Sequence, residues 1–340
     1  PFPPYQSDLF QIAIQQFSRH GAFTGKYRSV GERSMLEVFH QSAKTVSSQP
    51  VGALASFDLL YDGISASIRG DFQTSIGMAA RTLGDGYPIR VLKALFLLKW
   101  VREFKATPQN IAILLIDQVV VDIRSHIHGV QEALNLLESQ SFLQRNGDAY
   151  EFLTDIEKDI EVEIKNTEIE SSNVSKLLTD ILFADILRDP KISYENGQDY
   201  AYARRLDDQL VGRDADFAIN IVTPEHDNHG DLQTLAAQNT GKAELLVILP
   251  SDARVIDEAR LHLKTLKYIQ QNTGANLDES RKAILTQRGT QNSTRRSQLQ
   301  SLCADLLGKA PLYLNGSRLA DIGEGDARNR ISKASQTLVS

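Results

Sequence analysis

Apolar residues recur at helical spacing through most of the first half of the chain, and the period changes within residues 125–166. There Ile127, Val130, Ala133, Leu134 and Leu137 fall on one face of a helix. From Phe142 the spacing shortens. Phe-Leu-Gln-Arg, then Asn146-Gly147, then Ala-Tyr-Glu-Phe-Leu reads as two short strands about a type I′ turn. A helix delivered straight into a hairpin of that size predicts the ending of a winged-helix domain.

The preceding pattern is helical with Gly and Pro punctuation. Residues 5–20 form an amphipathic helix with Leu9, Ile12, Ala13 and Phe17 on one face. Residues 54–61 and 71–82 predict two more, and Gly84-Asp-Gly-Tyr-Pro88 separates them from a core helix over 91–104. Thr107-Pro108 starts a helix over 109–116, with proline at its favoured first position.

Beyond the hairpin, residues 155–170 are crowded with carboxylates and predict a solvated helical connector. An amphipathic helix over 174–187 follows, ended by Asp189-Pro190. The runs at 217–222 and 244–249 are continuously apolar and β-branched, as buried strands are. A long helix over 252–272 follows them, so strand-then-helix order predicts a small α/β domain. Pro311-Leu-Tyr-Leu-Asn-Gly-Ser-Arg-Leu319 reads as a second hairpin, about Asn315-Gly316.

Composition adds little to this picture. The chain has 340 residues, 41% of them hydrophobic and 24% charged, which suits two or three soluble domains. Its net charge of −6 argues against wholesale nucleic-acid binding but leaves room for a local basic patch. One cysteine, Cys303, permits no internal disulfide and points to a reducing, cytoplasmic setting. No apolar run approaches the length of a membrane span. The opening Pro-Phe-Pro-Pro, without an initiator Met, reads as a cut inside a larger protein.

Four places carry candidate chemistry. The run His20-Gly-Ala-Phe-Thr-Gly-Lys26 invites comparison with a phosphate-binding loop, but it is one residue short, has Tyr27 where Ser or Thr would bind Mg²⁺, and follows a helix rather than a strand. Next to it, Ser34 and Glu37 have capping-box spacing, which places Arg33 at a helix start beside Gly31, where a guanidinium can meet a phosphate. A solvated arginine beside a cap is the plainer alternative. Glu225-His226-Asp227-Asn228-His229, with Asp231, has the residue types of a metal site, yet it reads as a polar loop with no rigid element to hold ligands. Lastly, residues 281–340 are rich in Lys and Arg, with Arg288, Arg295 and Arg296 as nucleic-acid candidates. They lack interleaved aromatics, so a solvated helix surface competes with that reading.

A winged helix suggests DNA, but its reading helix lacks Lys and Arg between His126 and Gln140 and carries Glu132 and Glu138. Phosphate attraction dominates DNA affinity, so partner contact or packing is the better expectation.

The run Glu151-Phe-Leu-Thr-Asp-Ile-Glu-Lys-Asp-Ile-Glu-Val-Glu-Ile-Lys-Asn-Thr167, with Pro4-Tyr-Gln, Gly31-Glu-Arg-Ser-Met-Leu36 and Val91-Leu-Lys-Ala-Leu-Phe-Leu-Leu-Lys99, resembles the BrxC (PglY) family. These are large P-loop proteins of the BREX bacteriophage-defence system. The resemblance implies an AAA-type ATPase parent with its Walker motifs upstream of Pro1, and none of those motifs carries over onto residues here. It implies ATP and Mg²⁺ as cofactors of the parent, with none bound by this stretch alone, and Arg33 as a nucleotide-sensing residue. Other BREX proteins are the implied partners, with self-association and DNA contact through the complex left open and no membrane.

The expected architecture is therefore multidomain α+β, mainly α. Residues 1–45 would end an ATPase module and 46–155 would form the helical winged-helix lid. Residues 156–189 would be an acidic linker, 190–280 a small α/β domain, and 281–340 a basic helix-plus-hairpin segment. The expected role is a non-catalytic central segment linking nucleotide state to partner or DNA contacts. The alternative is a DNA-binding module using the basic C-terminal part.

Overall fold

In the computed structural model, which describes residues 2–24, 32–189, 191–193, 198–274 and 279–339, the chain forms two compact units, Pro1–Glu163 and Ile164–Ser340. The first is helical apart from one hairpin. The second is built on a mixed sheet.

In the first unit, α1 (Pro4–Arg19), α2 (Glu32–Val46), α3 (Leu59–Ile64) and α4 (Gly70–Leu83) surround α5 (Tyr87–Leu98). The α5 helix is buried nearly all round, and Phe96 is its hub. Its ring meets Phe17 at 4.9 Å, Tyr61 at 5.5 Å and Phe152 at 5.1 Å, in edge-to-face geometry. Trp100, just beyond the helix, packs edge-on against Phe17 and Phe72 and stacks on His20 at 4.8 Å.

Two expected boundaries shift here. Residues 54–57 are not helical, because Leu54 N–H donates to Asp117 O and Phe57 N–H donates to Leu114 O. The core helix starts at Tyr87 and stops at Leu98, since Pro88 sits in its first turn, where its missing N–H costs nothing.

Helix α6 (Pro108–Leu114) is capped by Thr107, whose side chain accepts from Asn110 N, and α7 (Ile123–Ser139) is capped by Asp122. The strands β1 (Leu143–Asn146) and β2 (Ala149–Phe152) then pair antiparallel about Gly147. Tyr150 N–H also donates to Ala106 O, so the segment ahead of α6 lies along the hairpin.

Helix α8 (Asp155–Asn166) carries the chain from the first unit into the second. Next come α9 (Ser171–Thr179) and a π-helical continuation, Asp180–Leu187, which ends at Arg188 with φ 64°. A small hairpin, β3 (Lys191–Ser193) with β4 (Asp199–Ala201), precedes the main sheet. That sheet has six strands in the order β10-β9-β8-β7-β5-β6. Strands β5 (Ala203–Leu206), β7 (Ala218–Val222) and β8 (Glu244–Ile248) are parallel. The strand β6 (Gln209–Val211) runs antiparallel on one edge, with β9 (Leu312–Leu314) and β10 (Ser317–Arg318) on the other.

Strands β7 and β8 are buried on both faces, as their unbroken apolar runs require. One face packs on α9 and its continuation, α11 (Arg254–Asn272), α12 (Glu279–Lys309) and α13 (Ala327–Val339); Leu299, Cys303 and Leu307 of α12 lie in this core. The other face carries a smaller cluster of Val222, Leu246, Ile248 and Tyr313 with Leu235 of α10 (Leu232–Asn239). The expected hairpin about Asn315-Gly316 forms. Gly316 sits at φ 76°, and a Cβ there would come within 2.4 Å of Thr240 Oγ1. Because β9 pairs with β8, residues 281–340 complete the sheet begun by residues 203–248 and share its core.

Candidate functional site

Helix α7 and its hairpin are the elements of the first unit in which the sequence placed a candidate reading helix and wing. Arg124 is the sole Lys or Arg on α7, in its first turn. Lower down, exposed His128 lies 3.7 Å from exposed Glu132. On the hairpin, Arg145 Nε donates to Gly147 O at 2.8 Å, and Lys105 reaches across to Asp148 at 2.7 Å. That lysine holds the Asp148 carboxyl below its ordinary range. With Glu138 and Glu151 counted, four carboxylates stand against Arg124, Arg145 and Lys105, so the helix and hairpin carry no excess of positive charge.

The start of α8 is the most firmly held point of the same unit. Glu157 accepts from Thr154 N and Oγ1, the reciprocal pattern of a capping box. It also accepts from Lys99 Nζ at 2.7 Å, with the two side chains only 10% and 4% exposed. Burial works to raise the Glu157 carboxyl, but the charge and hydrogen bond of Lys99 hold it below its ordinary value. Lys99 also donates to Phe152 O, and Ser75 donates to Asp155. Within the second unit, Lys264 donates to Lys165 O and Lys267 donates to Glu168 O, so α11 cations meet carbonyls at and just beyond the other end of α8, where a helix favours positive charge.

The residues singled out from sequence are scattered. Arg33 belongs to α2, and its side chain lies outside the described residues, as do Gly31 and the Gly25-Lys26 end of the phosphate-loop comparison. Helix α2 begins at Glu32, which puts Ser34 inside its first turn rather than ahead of it as a cap. Arg288 is 5% exposed and donates to Gln291. Arg295 Nε bonds Glu258 of α11 at 3.0 Å, and Arg296 bonds Asp185 of the π-helix at 2.8 Å.

The segment 225–229 lies at the carboxyl ends of the parallel strands, the usual ligand-binding end of an α/β sheet. It is held firmly. Asp207 and Asp208 form the β5–β6 turn, both with positive φ. Asp207 accepts from Thr223 N at 2.7 Å and Thr223 Oγ1 at 2.8 Å, while burial pushes its carboxyl up. Asp208 accepts from Asn220 Nδ2 at 2.6 Å. Because Asn228 N–H donates to His226 Nδ1, the ring proton sits on Nε2, which donates to Asp208 at 3.0 Å. Burial opposes ionisation of Asp208, but His226 and Asn220 hold its carboxyl low. His229 Nε2 donates to Leu249 O, and Glu225 pairs with Arg260.

Asp207, Asp208, Glu225, His226 and His229 are each matched to a neighbour, so the cluster ties two strand ends and a loop together. Among the described residues, no three His, Cys, Asp or Glu are grouped to hold a metal ion. Sequence reasoning missed Asp207 and Asp208. The available signal was two turn-tolerant aspartates between the strand-capable runs Ala-Arg-Arg-Leu and Gln-Leu-Val.

These features define an α+β protein whose second unit is a six-stranded mixed sheet backed by long helices, with no helix among the described residues long and apolar enough to cross a membrane. Residues 167–338 match the family model described as the BREX ATP-binding protein BrxC 4th domain with six-stranded beta sheet. The chain belongs to the BrxC family, and is a component of a BREX defence system. No solved structure matches it.

Proposed function

We propose that residues 46–155 of the first unit form a winged-helix lid that passes the nucleotide state of an AAA-type ATPase module through α8 to the second unit and to other BREX proteins. The observation that carries this reading is the absence of excess positive charge on α7 and its hairpin, which suits a protein partner better than a phosphate backbone. The hydrogen bonds at both ends of α8 support its part as the relay.

ATP and Mg²⁺ belong in this reading to the rest of the parent protein, with residues 1–45 as the end of its nucleotide-binding module. In the sequence, the run from His20 to Lys26 has neither the spacing nor the Ser or Thr of a phosphate loop. Arg33 is the proposed nucleotide-sensing residue.

DNA contact through Arg288, Arg295 and Arg296 is the lesser reading. It requires Arg295 to leave Glu258 and Arg296 to leave Asp185. The test is co-purification of the intact parent with the other BREX proteins, together with ATP turnover of Arg33→Ala. Retained complex with reduced turnover supports the relay. Unchanged turnover removes Arg33, and salt-dependent DNA binding by this chain that is lost on neutralising Arg295 and Arg296 favours the lesser reading.

A further inference from the structure

The stretch at residues 52–57 lies against residues 114–119, with Leu54 N–H on Asp117 O at 2.8 Å and Val119 N–H on Gly52 O at 3.2 Å. Beside this pairing is a groove of about 590 Å³, lined by the end of α2, the start of α3, and residues 117–120. Its rim is aliphatic and open to water: Val51, Val119 and Val120 are 109%, 68% and 87% exposed. Val121 and Ile123 continue the apolar strip toward α7. Apolar side chains exposed together beside polar groups mark interaction surfaces.

The polar lining has a definite sign. Arg90 is fully engaged: Nε bonds Asp58 at 3.1 Å, one terminal nitrogen bonds Asp117 at 2.9 Å, and the other bonds Ser56 Oγ at 3.0 Å. Lys93 is engaged by Asp62 at 2.8 Å. Three carboxylates, Asp58, Asp62 and Asp117, thus face two cations, which leaves one negative charge. Asp58 Oδ1 has no hydrogen-bond partner, and about half of the Asp62 and Asp117 side chains is open to solvent. An anionic occupant, whether phosphate or an acidic lipid surface, is repelled by this lining.

We propose that the groove docks a basic, aliphatic segment of a partner protein, with its arginine or lysine side chains turned to Asp117 and Asp62 and its aliphatic side chains on the valine rim. The proposal rests on the partner-contact reading of the first unit and names the chemistry of the partner. Its affinity comes from covering the valines, and the excess carboxylate selects the sign of the occupant.

The test uses the 340-residue chain and a fluorescently labelled octapeptide of alternating arginine and valine, with a glutamate-for-arginine peptide as control. Saturable binding of the arginine peptide alone is expected. Val119→Ser with Val120→Ser should weaken it about tenfold or more, while Trp100 fluorescence and thermal unfolding stay unchanged, because both valines are exposed. Asp117→Asn should also weaken it.

Failure of the arginine peptide to bind, equal binding of the glutamate peptide, or full binding by the double serine variant would each overturn the proposal. So would a dimer of the chain that the double serine variant abolishes, since that would put a second copy in the groove. Co-purification of BREX proteins that survives the double substitution would overturn the groove and leave the partner-contact reading standing.

Discussion

The two units use their buried cations differently. The first sets Lys99 against a single carboxylate, Glu157, both nearly buried. The second sets Arg330 against three backbone carbonyls, of Leu307, Ala310 and Gly323. The first arrangement concentrates two opposite charges whose other partners, Phe152 O for the lysine and Thr154 for the carboxylate, are neutral. The second bonds neutral carbonyls, two at the end of α12 and one in the loop ahead of α13, and leaves no second charge behind when it is removed. The difference teaches that loss of a cation is costliest where its partner is itself an ion that water cannot reach.

The sharpest way to break this comparison is Lys99→Met, which strands Glu157. Urea unfolding should show the first unit losing about 3–5 kcal/mol, and adding Glu157→Leu should recover most of it. A loss that the second substitution fails to repair would contradict the account. Arg330→Ala in the second unit should cost less, about 2–3 kcal/mol, because the orphaned groups are neutral carbonyls. Its effect should appear in the unfolding of the second unit alone.

A pH titration sharpens the contrast further. His262 is buried between α11 and α12, its Nδ1 near Asn292 O while Asn292 donates to His262 O. Burial lowers its pKa below the ordinary 6.5, with Arg296 and Arg295 adding to the effect. As pH falls through 6.5 the unfolded chain takes up the proton first, so the second unit should lose stability on acidification and be unaffected by this group above that pH. His262→Gln should flatten that slope in thermal melts followed against pH. The smallest effect belongs to Lys105→Ala at the hairpin, an exposed pair with Asp148, where unfolding should move by under about 0.5 kcal/mol.

The elements legible in the sequence were those with strong local period. Helix α1, the buried strands β7 and β8, and both Asn-Gly hairpins follow from spacing and turn chemistry alone. Strand β5 was not legible, because Arg204 and Arg205 interrupt its apolar pattern. As consecutive strand residues those arginines point to opposite faces, Arg204 over the Phe183 ring and Arg205 near Glu244. The non-helical run at residues 54–57 is set by pairing with residues some sixty positions away, and local period carries no trace of that. The same holds for charge: the basic character of residues 281–340 was plain, but the partners of Arg295 and Arg296 lie on α11 and the π-helix. Only folding shows that these charges face inward.

Trp100 is the chain's single tryptophan, and it sits among the aromatic rings of the first unit, while the single cysteine, Cys303, lies in the core of the second. Each unit therefore carries its own built-in probe. Indole emission follows the opening of one, and thiol labelling follows the opening of the other, so the order in which they come apart can be timed in the unmodified chain.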